Sequence, residues 1–324
     1  MLENQEKVIE VENLTQDYGH GRGVFDVTFS VCKGEVFGFL GPNGAGKSTT
    51  IRHIMGFSKA QSGQTRVLGM ESFKEYYKLL KYVGYLPGEI ALPEGLTGWE
   101  FIHMMEDLKH VHNKDRLKML LERFKLDPIG ETKKMSLGDK RKLAIVVAFM
   151  ADPDILILDE PTSGLDPVMQ QVFIDFIKEE KKCGKTILLS SHMFNEVEAT
   201  CDRIAIIKDG KIVSMFDTSK ITHNENKNFI VKFKFKKDLE DFASKLPRAR
   251  KNLENIKRIS LKHIDQKDNL CVVAVNDKDI NNLSVMLSNY NITSFVQVKF
   301  TLEDYFMQFY REKKDFGGIV WKKK

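Results

Sequence analysis

The sequence predicts an α/β fold in which helices pack against a parallel sheet. Short apolar runs recur along the chain as "EVFGFLG", "ILILDE", "TILLSSH" and "RIAIIKDG", and such runs are typical of strands buried on both faces. Patterns with helical spacing, such as "PVMQQVFIDFIKEEKK", lie between them. Buried strands that alternate with helices indicate a parallel sheet covered by helices.

Two further parts are predicted for a domain at residues 1–220: a pair of antiparallel strands and a helical lobe. "KVIEVENLTQDYG" and "VFDVTFSVCKG" alternate apolar and polar residues, as half-exposed antiparallel strands do. Apolar residues then recur at helical spacing in "LTGWEFIHMMEDLKHV", "KDRLKMLLERFKL" and "GDKRKLAIVVAFMAD". We interpret these as a helical lobe, at about residues 88–150, inserted into the sheet domain.

A second domain is predicted at residues 221–324, after the polar stretch "SKITHNENKNF". Its patterns follow the order strand, helix, strand, strand, helix, strand, which is the split βαβ arrangement of a small α+β domain. The segment "TLED", which starts at Thr301, predicts the beginning of a final helix.

The net charge of +5 is concentrated at the C-terminal end. From Ile221 onward the chain has 21 basic and 13 acidic residues, against 29 and 32 before it. A solvated surface is the simplest interpretation, and contact with anionic lipid headgroups or an acidic partner is the alternative. No basic helix with interleaved aromatic residues supports nucleic-acid binding, so we expect no nucleic-acid partner.

Cysteine usage and hydropathy indicate a cytoplasmic chain. The four cysteines form no C-x-x-C pair, which argues against a zinc ribbon and fits a reducing compartment. No apolar run approaches the roughly 18 residues that cross a bilayer, and "LAIVVAFMA" is interpreted as a buried helix. The N-terminal "MLENQEK" does not resemble a signal peptide. We therefore expect any membrane contact to go mainly through a partner.

A phosphate-binding loop is predicted by "GPNGAGKS", which fits G-x-x-x-x-G-K-S and directly follows a buried strand. Its glycines let successive N–H groups point at one phosphate chain, and the helix start adds a positive dipole end. Lys47 is expected to reach the outer phosphates, and the Ser48 hydroxyl to bind Mg²⁺. The predicted nucleotide contacts are Gly41, Pro42, Asn43, Gly44, Ala45, Gly46, Lys47, Ser48 and Thr49.

Polar residues end two of the buried runs. Asp159 ends "ILILD", where a buried carboxylate is costly unless a hydrated Mg²⁺ on a triphosphate neutralises it. Glu160 follows and can act as a general base or position a water. His192 ends the next run. A lone histidine is usually structural, but functional groups gather at the carboxyl ends of parallel strands, so we predict a catalytic role for it.

A second anion-binding helix start is predicted in "MSLGDKRKLA" at Ser136 and Gly138. It has neither a preceding strand nor a loop lysine, and it belongs to the helical lobe. We therefore do not expect it to fold back on the nucleotide of its own chain. Two chains placed head to tail would bring Ser136 and Gly138 of one over the γ-phosphate held by the other.

Together these motifs resemble the nucleotide-binding subunit of an ABC transporter, from about Val8 to Ser219. The resemblance implies a P-loop NTPase fold of ABC type, ATP and Mg²⁺ as cofactors, and a head-to-tail dimer of this chain or with a similar subunit. "MSLGD" resembles the signature loop and His192 the switch histidine. "SGLD" resembles the D-loop, which places Asp166 at the nucleotide site, and Tyr18 resembles the aromatic residue that stacks on adenine.

The segments "DYG", "FGFLGPNGAGKSTT" and "TLEDYFMQFYRE" resemble bacterial drug, antibiotic and bacteriocin resistance exporters. The resemblance implies an ATP-hydrolysing subunit, peripheral on the cytoplasmic face of the cell membrane. It would drive a separate integral membrane permease, which would choose the transported substrate.

Two positions depart from the family pattern. In the signature loop, Leu137 replaces a second glycine and Asp139 replaces a glutamine. We expect Asp139 to point away from the triphosphate, toward Lys140 or Arg141. In "VGYLPGEIAL", Gly88 stands where the Q-loop glutamine would ligate Mg²⁺. Either the neighbouring Glu89 or water would then supply that oxygen.

Two other classes of function fit these motifs less well. Soluble ABC ATPases that act on ribosomes generally carry two ATPase units, whereas this chain has a single set of ATPase motifs, with one phosphate-loop lysine, Lys47, and one strand-end aspartate, Asp159. DNA-repair relatives separate these residues by long coiled coils, but here they are 159 − 47 = 112 residues apart with no heptad insert. A regulatory ATP sensor would not need Glu160 and His192.

Overall fold

The computed structural model describes residues 6–219, 226–246, 259–265 and 267–298, with 302, 303 and 306. The chain divides into two compact units, Met1–Thr218 and Ser219–Lys324, and each is described by itself. The strands of the first unit are β1 (Lys7–Asp17), β2 (Gly23–Cys32), β3 (Val36–Leu40), β4 (Ser62–Val67), β5 (Met70–Glu71), β6 (Val83–Leu86), β7 (Ile155–Asp159), β8 (Thr186–Ser191), β9 (Arg203–Lys208) and β10 (Lys211–Asp217). Its helices are α1 (Lys47–Ile54), α2 (Ser72–Leu79), α3 (Gly98–Lys109), α4 (Lys114–Arg123), α5 (Leu137–Phe149), α6 (Pro167–Lys182) and α7 (Phe194–Thr200).

The central sheet has the strand order β10-β9-β3-β8-β7-β6. All neighbouring pairs are parallel except β10 with β9. Every residue of β3, β7 and β8 is buried, which confirms the prediction of strands covered on both faces. Their carboxyl ends lie along one edge of the sheet, where the predicted phosphate loop, carboxylates and histidine follow.

Strand β6 was not predicted, because "VGYL" is too short to show a period and has a glycine inside it. That glycine is required by packing. A Cβ at Gly84 would lie 2.4 Å from the carbonyl oxygen of Ala148 in α5. The close approach of β6 to α5 brings the segment that follows β6 to the edge of the site.

The second sheet of this unit is antiparallel, in the order β2-β1-β4-β5. The pairing of β1 with β2 confirms the prediction from their alternating residues. Their apolar side chains share one core with β3 and α1, in which Val11 and Val27 pack in the same cluster as Phe37 and Ile51. The strand that leads into the phosphate loop, β3, therefore packs against the antiparallel sheet in a shared apolar core.

Helices α3, α4 and α5 form where the sequence predicted the helical lobe. Thr97 caps α3 in a reciprocal capping box with Glu100. All residues of α5 from Leu143 to Phe149 are buried, which confirms the reading of "LAIVVAFMA" as a buried helix. Within the described ranges, no helix is long and apolar enough to cross a membrane.

The second unit contains β11 (Asn226–Phe233), α8 (Lys236–Ser244), β12 (Ile259–Asp265), β13 (Leu270–Asn276), α9 (Ile280–Leu287) and β14 (Ile292–Val298). Its sheet is antiparallel with the order β12-β13-β11-β14, which confirms the predicted split βαβ arrangement. The ring centroids of Phe233 and Tyr290 lie 5.3 and 5.5 Å from that of Phe242, within its core. The predicted helix start at Thr301 falls outside the described residues.

Candidate functional site

The phosphate loop connects β3 to α1 and depends on glycine at specific positions. Gly44 and Gly46 have φ angles of 80° and 109°, a region that favours glycine, and Gly46 is the N-cap of α1. A Cβ at Gly46 would lie 2.7 Å from Val24 Cγ1, and one at Gly41 would lie 2.5 Å from the Ile207 carbonyl oxygen. The loop therefore packs tightly between β2 and β9 and presents the start of α1 to an anion.

Lys47 is 5% exposed, and its ammonium group binds the backbone at the start of the phosphate loop. Nζ donates hydrogen bonds to the carbonyl oxygens of Gly41, at 2.6 Å, and Pro42, at 3.1 Å. It also lies 3.0 Å from Glu160 Oε1, a contact that is an ion pair by distance but lacks hydrogen-bond geometry. The loop lysine is thus already in contact with the predicted general base.

The two predicted carboxylates are held by the neighbouring strand β8. Asp159 is 2% exposed, and Ser190 Oγ donates a hydrogen bond to its Oδ1. Glu160 has a left-handed φ of 49°, and its N–H donates to the Ser190 carbonyl oxygen at 3.0 Å. Such a conformation is strained for a residue other than glycine and persists where surrounding contacts hold it. With this backbone conformation, the Asp159 carboxylate contacts Ser190 while the Glu160 carboxylate contacts other residues.

His192 completes a chain of contacts through Glu160. Its Nδ1 lies 2.6 Å from Glu160 Oε2, so the two oxygens of Glu160 contact His192 and Lys47 respectively. The carboxylate accepts the proton of Nδ1, which fixes the tautomer of a neutral ring. The structure brings Lys47 and His192 to Glu160 from separate segments of the chain. The sequence patterns did not predict these contacts.

Asp159, Glu160 and His192 border a cavity of about 400 Å³. The residues that line it are Asn43, Ser48, Arg52, Tyr85, Pro87, Gly88, Glu89, Asp159, Glu160, Ser163 and His192. Ser48 and Asp159 both supply oxygen atoms to it. Ser136 and Gly138 are absent from this lining, which is drawn from the described part of the chain.

Tyr18 lies on the turn between β1 and β2. Its N–H donates to the Arg22 carbonyl oxygen at 2.9 Å, and its side chain is 58% exposed. The turn leads into Gly23, whose carbonyl oxygen would lie 3.2 Å from a Cβ on Gly46. The end of this turn therefore lies next to the phosphate loop, and contact of the Tyr18 ring with adenine stays a prediction.

The signature segment forms the start of α5, with Ser136 as its N-cap. Ser136 Oγ accepts from the Asp139 N–H at 3.1 Å and donates to Asp139 Oδ2 at 2.8 Å. Lys142 Nζ donates to Asp139 Oδ1 at 3.2 Å. The prediction that Asp139 turns toward Lys140 or Arg141 is wrong, because residues three apart share a helix face and Lys142 is the one that meets it.

Asp166 is the N-cap of α6 and uses its carboxylate within its own chain. Oδ1 accepts hydrogen bonds from the N–H groups of Val168, at 2.9 Å, and Met169, at 3.0 Å. This cap positions the D-loop backbone ahead of α6. A direct contact of Asp166 with nucleotide stays a prediction.

Sequence reasoning missed Arg141, which is 3% exposed. It donates to the carbonyl oxygens of Pro87, Gly88 and Ser163, which line the cavity. Its spacing could have revealed it, since Arg141 precedes the buried Ala144 and Ile145 by three and four residues and so belongs to the inner face of α5. From the sequence, Arg141 was considered only as a partner for Asp139.

Glu196, in α7, was also missed. It is 1% exposed, and neither carboxylate oxygen makes a hydrogen bond of good geometry. The pKa of Glu196 is raised to about 7: burial is the main cause and the Glu160 charge adds to it, whereas the hydroxyl groups of Ser191 and Thr162 act in the opposite direction. No pattern around "FNEVEAT" distinguishes this glutamate from a surface one.

Comparison with known proteins agrees with the geometry. Residues 24–163 match the family model described as "ABC transporter". The uncharacterized ABC transporter ATP-binding protein YhcH of Bacillus subtilis (strain 168) is 35% identical over 225 residues, which are 68% of this chain and 74% of that protein. The linearmycin resistance ATP-binding protein LnrL of the same organism is 39% identical over 213 residues, which are 64% of this chain and 68% of that protein.

A solved structure titled as an ATP binding subunit of an ABC transporter matches with a TM-score of 0.62 and 31% identity. The match covers 67% of this chain and 92% of that one. The fold, the phosphate loop and the relatives agree over the first unit. The chain therefore belongs to the ATP-binding proteins of ABC transporters and is an ATPase of that family.

Proposed function

We propose that this chain binds ATP with Mg²⁺ between two head-to-tail subunits and couples hydrolysis to the movement of a separate membrane permease, in the direction of export. One observation supports this most strongly. Glu160 contacts both Lys47 and His192. It borders the cavity that Ser48 and Asp159 also line. This set provides phosphate binding, general-base chemistry and oxygen ligands at one place.

Lys47 changes partners in the proposed cycle. It donates to the carbonyl oxygens of Gly41 and Pro42 and contacts Glu160. A triphosphate in the loop offers more negative charge and stronger acceptors than carbonyl groups. Lys47 then turns to the outer phosphates and releases one oxygen of Glu160, which orients or deprotonates the attacking water while His192 holds the other oxygen.

The donor set fits Mg²⁺, which prefers oxygen ligands and keeps part of its water shell. The Ser48 hydroxyl and Asp159 would hold the ion, and the Ser190 hydroxyl donates a hydrogen bond to the Asp159 carboxylate. Bound there, Mg²⁺ would neutralise charge on the phosphates. Glu89 lines the same cavity and is, with water, a candidate for the oxygen that a Q-loop glutamine would supply.

The paired arrangement is supported by the place of the signature segment. Ser136 and Gly138 contribute nothing to the lining of the cavity of their own chain, as far as the described residues go. In a head-to-tail pair they would face the γ-phosphate held by the other subunit, with the D-loop around Asp166 beside them. The second subunit is a copy of this chain or a similar ATPase subunit.

The partner is proposed to be an integral membrane permease, which would hold this subunit at the cytoplasmic face of the membrane. Similarity to LnrL, a protein named for linearmycin resistance, supports the export direction. Tyr18 would stack on adenine. Residues 1–220 would form the ATP-binding domain, and residues 221–324 an accessory domain.

Glu160→Gln tests the proposal. The variant keeps the shape of the side chain but cannot accept a proton, so ATP should still bind while hydrolysis falls by about a hundredfold or more. Light scattering with saturating ATP should show the variant accumulating as a dimer. The exposed Glu131→Gln is the matched control and should hydrolyse ATP like the wild type. Wild-type turnover in Glu160→Gln, or a monomer at saturating ATP, would contradict the proposed mechanism.

A further inference from the structure

Arg141 is a buried cation that links two loops. From α5, its Nε donates to the Ser163 carbonyl oxygen at 2.9 Å. Its Nη1 donates to the Pro87 carbonyl oxygen at 2.9 Å, and its Nη2 to that of Gly88 at 2.6 Å. The planar fork of the guanidinium group suits donation in several directions at once. One side chain thus joins the helical lobe to the segment after β6 and to the turn after β7.

Both loops form walls of the nucleotide cavity. Pro87, Gly88 and Ser163 line it, whereas Arg141 is not part of the lining that the described residues provide. Arg141 therefore acts on the shape of the cavity through backbone groups and without touching its contents.

The segment that Arg141 holds lies directly against Asp159. A Cβ at Gly88 would be only 2.9 Å from Asp159 Oδ2, so the backbone approaches the carboxylate more closely than a residue with a side chain allows. Burial lowers the pKa of Arg141, while the charges of Asp159 and Glu160 act in the opposite direction. The guanidinium stays charged and adds positive potential beside both carboxylates.

We propose that Arg141 is a positioning residue for ATP hydrolysis, which holds the Pro87–Gly88 backbone against Asp159 and ties it to the D-loop at Ser163. The inference rests on the proposed function, because it concerns the site in which Asp159 and Glu160 act. Gly88 has no side chain with which to anchor this loop. Arg141, on α5, anchors the loop instead through its backbone carbonyl groups. Because α5 begins beside Ser136, movement of the signature end would displace the wall of this cavity.

A purely structural role makes a different prediction, and Arg116 supplies the comparison. Its side chain is also mostly buried, and its Nη2 donates to Glu180 Oε2 at 2.6 Å, between α4 and α6. Loss of either arginine would destabilise the fold. Only loss of Arg141 should alter the catalytic step in molecules that remain folded.

The test compares full-length wild type with Arg141→Gln, Arg141→Lys and Arg116→Gln. At equal folded fraction, Arg141→Gln should lower kcat at least about tenfold with little change in KM, because displaced groups cost rate rather than binding. Arg141→Lys should be intermediate, since it keeps the charge but loses the fork. Without nucleotide, hydrogen exchange should speed up at residues 87–89 and 163–165 in Arg141→Gln, and not in Arg116→Gln.

Equal kcat in Arg141→Gln and Arg116→Gln would overturn the proposal, as would unchanged exchange in both loops. If Arg141→Gln does not fold, Arg141→Lys decides, and wild-type kcat with wild-type exchange in that variant would overturn it. An inactive wild-type protein would instead count against the proposed function. The exchange measurement, made without nucleotide, would still test the link from Arg141 to the two loops.

Discussion

At the scale of single residues, Glu160 is held at both carboxylate oxygens, by Lys47 at one and by His192 at the other. Lys47 in turn donates to the carbonyl oxygens of the phosphate loop. The loop and the Glu160 carboxylate therefore share one cation. In the proposed mechanism, phosphate in the loop would change what surrounds Glu160, so substrate binding and activation of the base would be coupled through this contact.

Glu196 is the second residue with an unusual environment. Its carboxyl group is buried near the hydroxyl groups of Thr162 and Ser191. Burial without a good hydrogen bond disfavours the charged form, which is why its pKa rises from the ordinary 4.5 to about 7. The folded protein therefore keeps a proton on Glu196 at pH values where the unfolded chain has lost it.

Stability should depend on pH through this group. The contribution of protonated Glu196 is complete below pH 4.5 and is lost as the pH rises through about 7. Glu196→Gln cannot ionise, so above pH 7 it should be more stable than the wild type by about 3 kcal/mol, with little difference near pH 5. Chemical denaturation at a series of pH values would measure this.

Glu198→Gln is the control, since it removes a carboxylate from the same helix at a position that is not fully buried. It should follow the wild-type pH dependence. A constant difference between Glu196→Gln and the wild type from pH 5 to pH 8 would show that Glu196 does not titrate in this range.

At the scale of elements, β6 and the segment after it decide how the helical lobe meets the sheet. Gly84 lets β6 approach α5, and Gly88 lets the next segment approach Asp159. Both contacts leave no space for a Cβ atom. A short strand with weak sequence signal therefore determines the position of a loop in the site.

Gly88→Ala should lower kcat by about tenfold, because the added Cβ would push the Asp159 carboxylate away from its place beside Ser190. Steady-state kinetics with saturating MgATP would measure the change. Gly130→Ala is the control, since nothing lies within 4 Å of its Cβ position. Equal activity of the two variants would mean that the loop moves aside without disturbing Asp159.

At the scale of the whole molecule, the two units have separate cores. The described residues of the nucleotide site all lie in Met1–Thr218, and the antiparallel sheet of the second unit packs its own apolar cluster. Among the described residues, each of these two clusters is built from one unit. Each unit thus has the apolar interior that independent folding requires.

A chain that ends at residue 220 should fold and bind ATP with a dissociation constant within about threefold of that of the full chain, because domains with their own core fold alone. Fluorescence titration with an ATP analogue would measure binding, and a cooperative thermal transition would report folding. Loss of binding in a folded truncated chain would show that the second unit contributes to the nucleotide site.

Local patterns account for the parts of the fold that were predicted correctly. Buried runs such as "ILILD" and helical spacing in "LAIVVAFMA" reflect burial of each element by itself. The order of elements in the second unit was predicted in the same way. Strand β6 was not predicted, because four residues with an internal glycine are too few to show the alternation of apolar and polar residues that marks a strand.

The sequence by itself determined the family and the phosphate loop, and it proposed Asp159, Glu160 and His192 as site residues, because phosphate chemistry needs particular residues at fixed local spacing. Only the tertiary structure decided that Lys47 contacts Glu160 and that Arg141 holds Pro87–Gly88. These contacts join segments that are distant in the chain. Periodicity records which face of an element is buried, but it does not record which distant group meets that face.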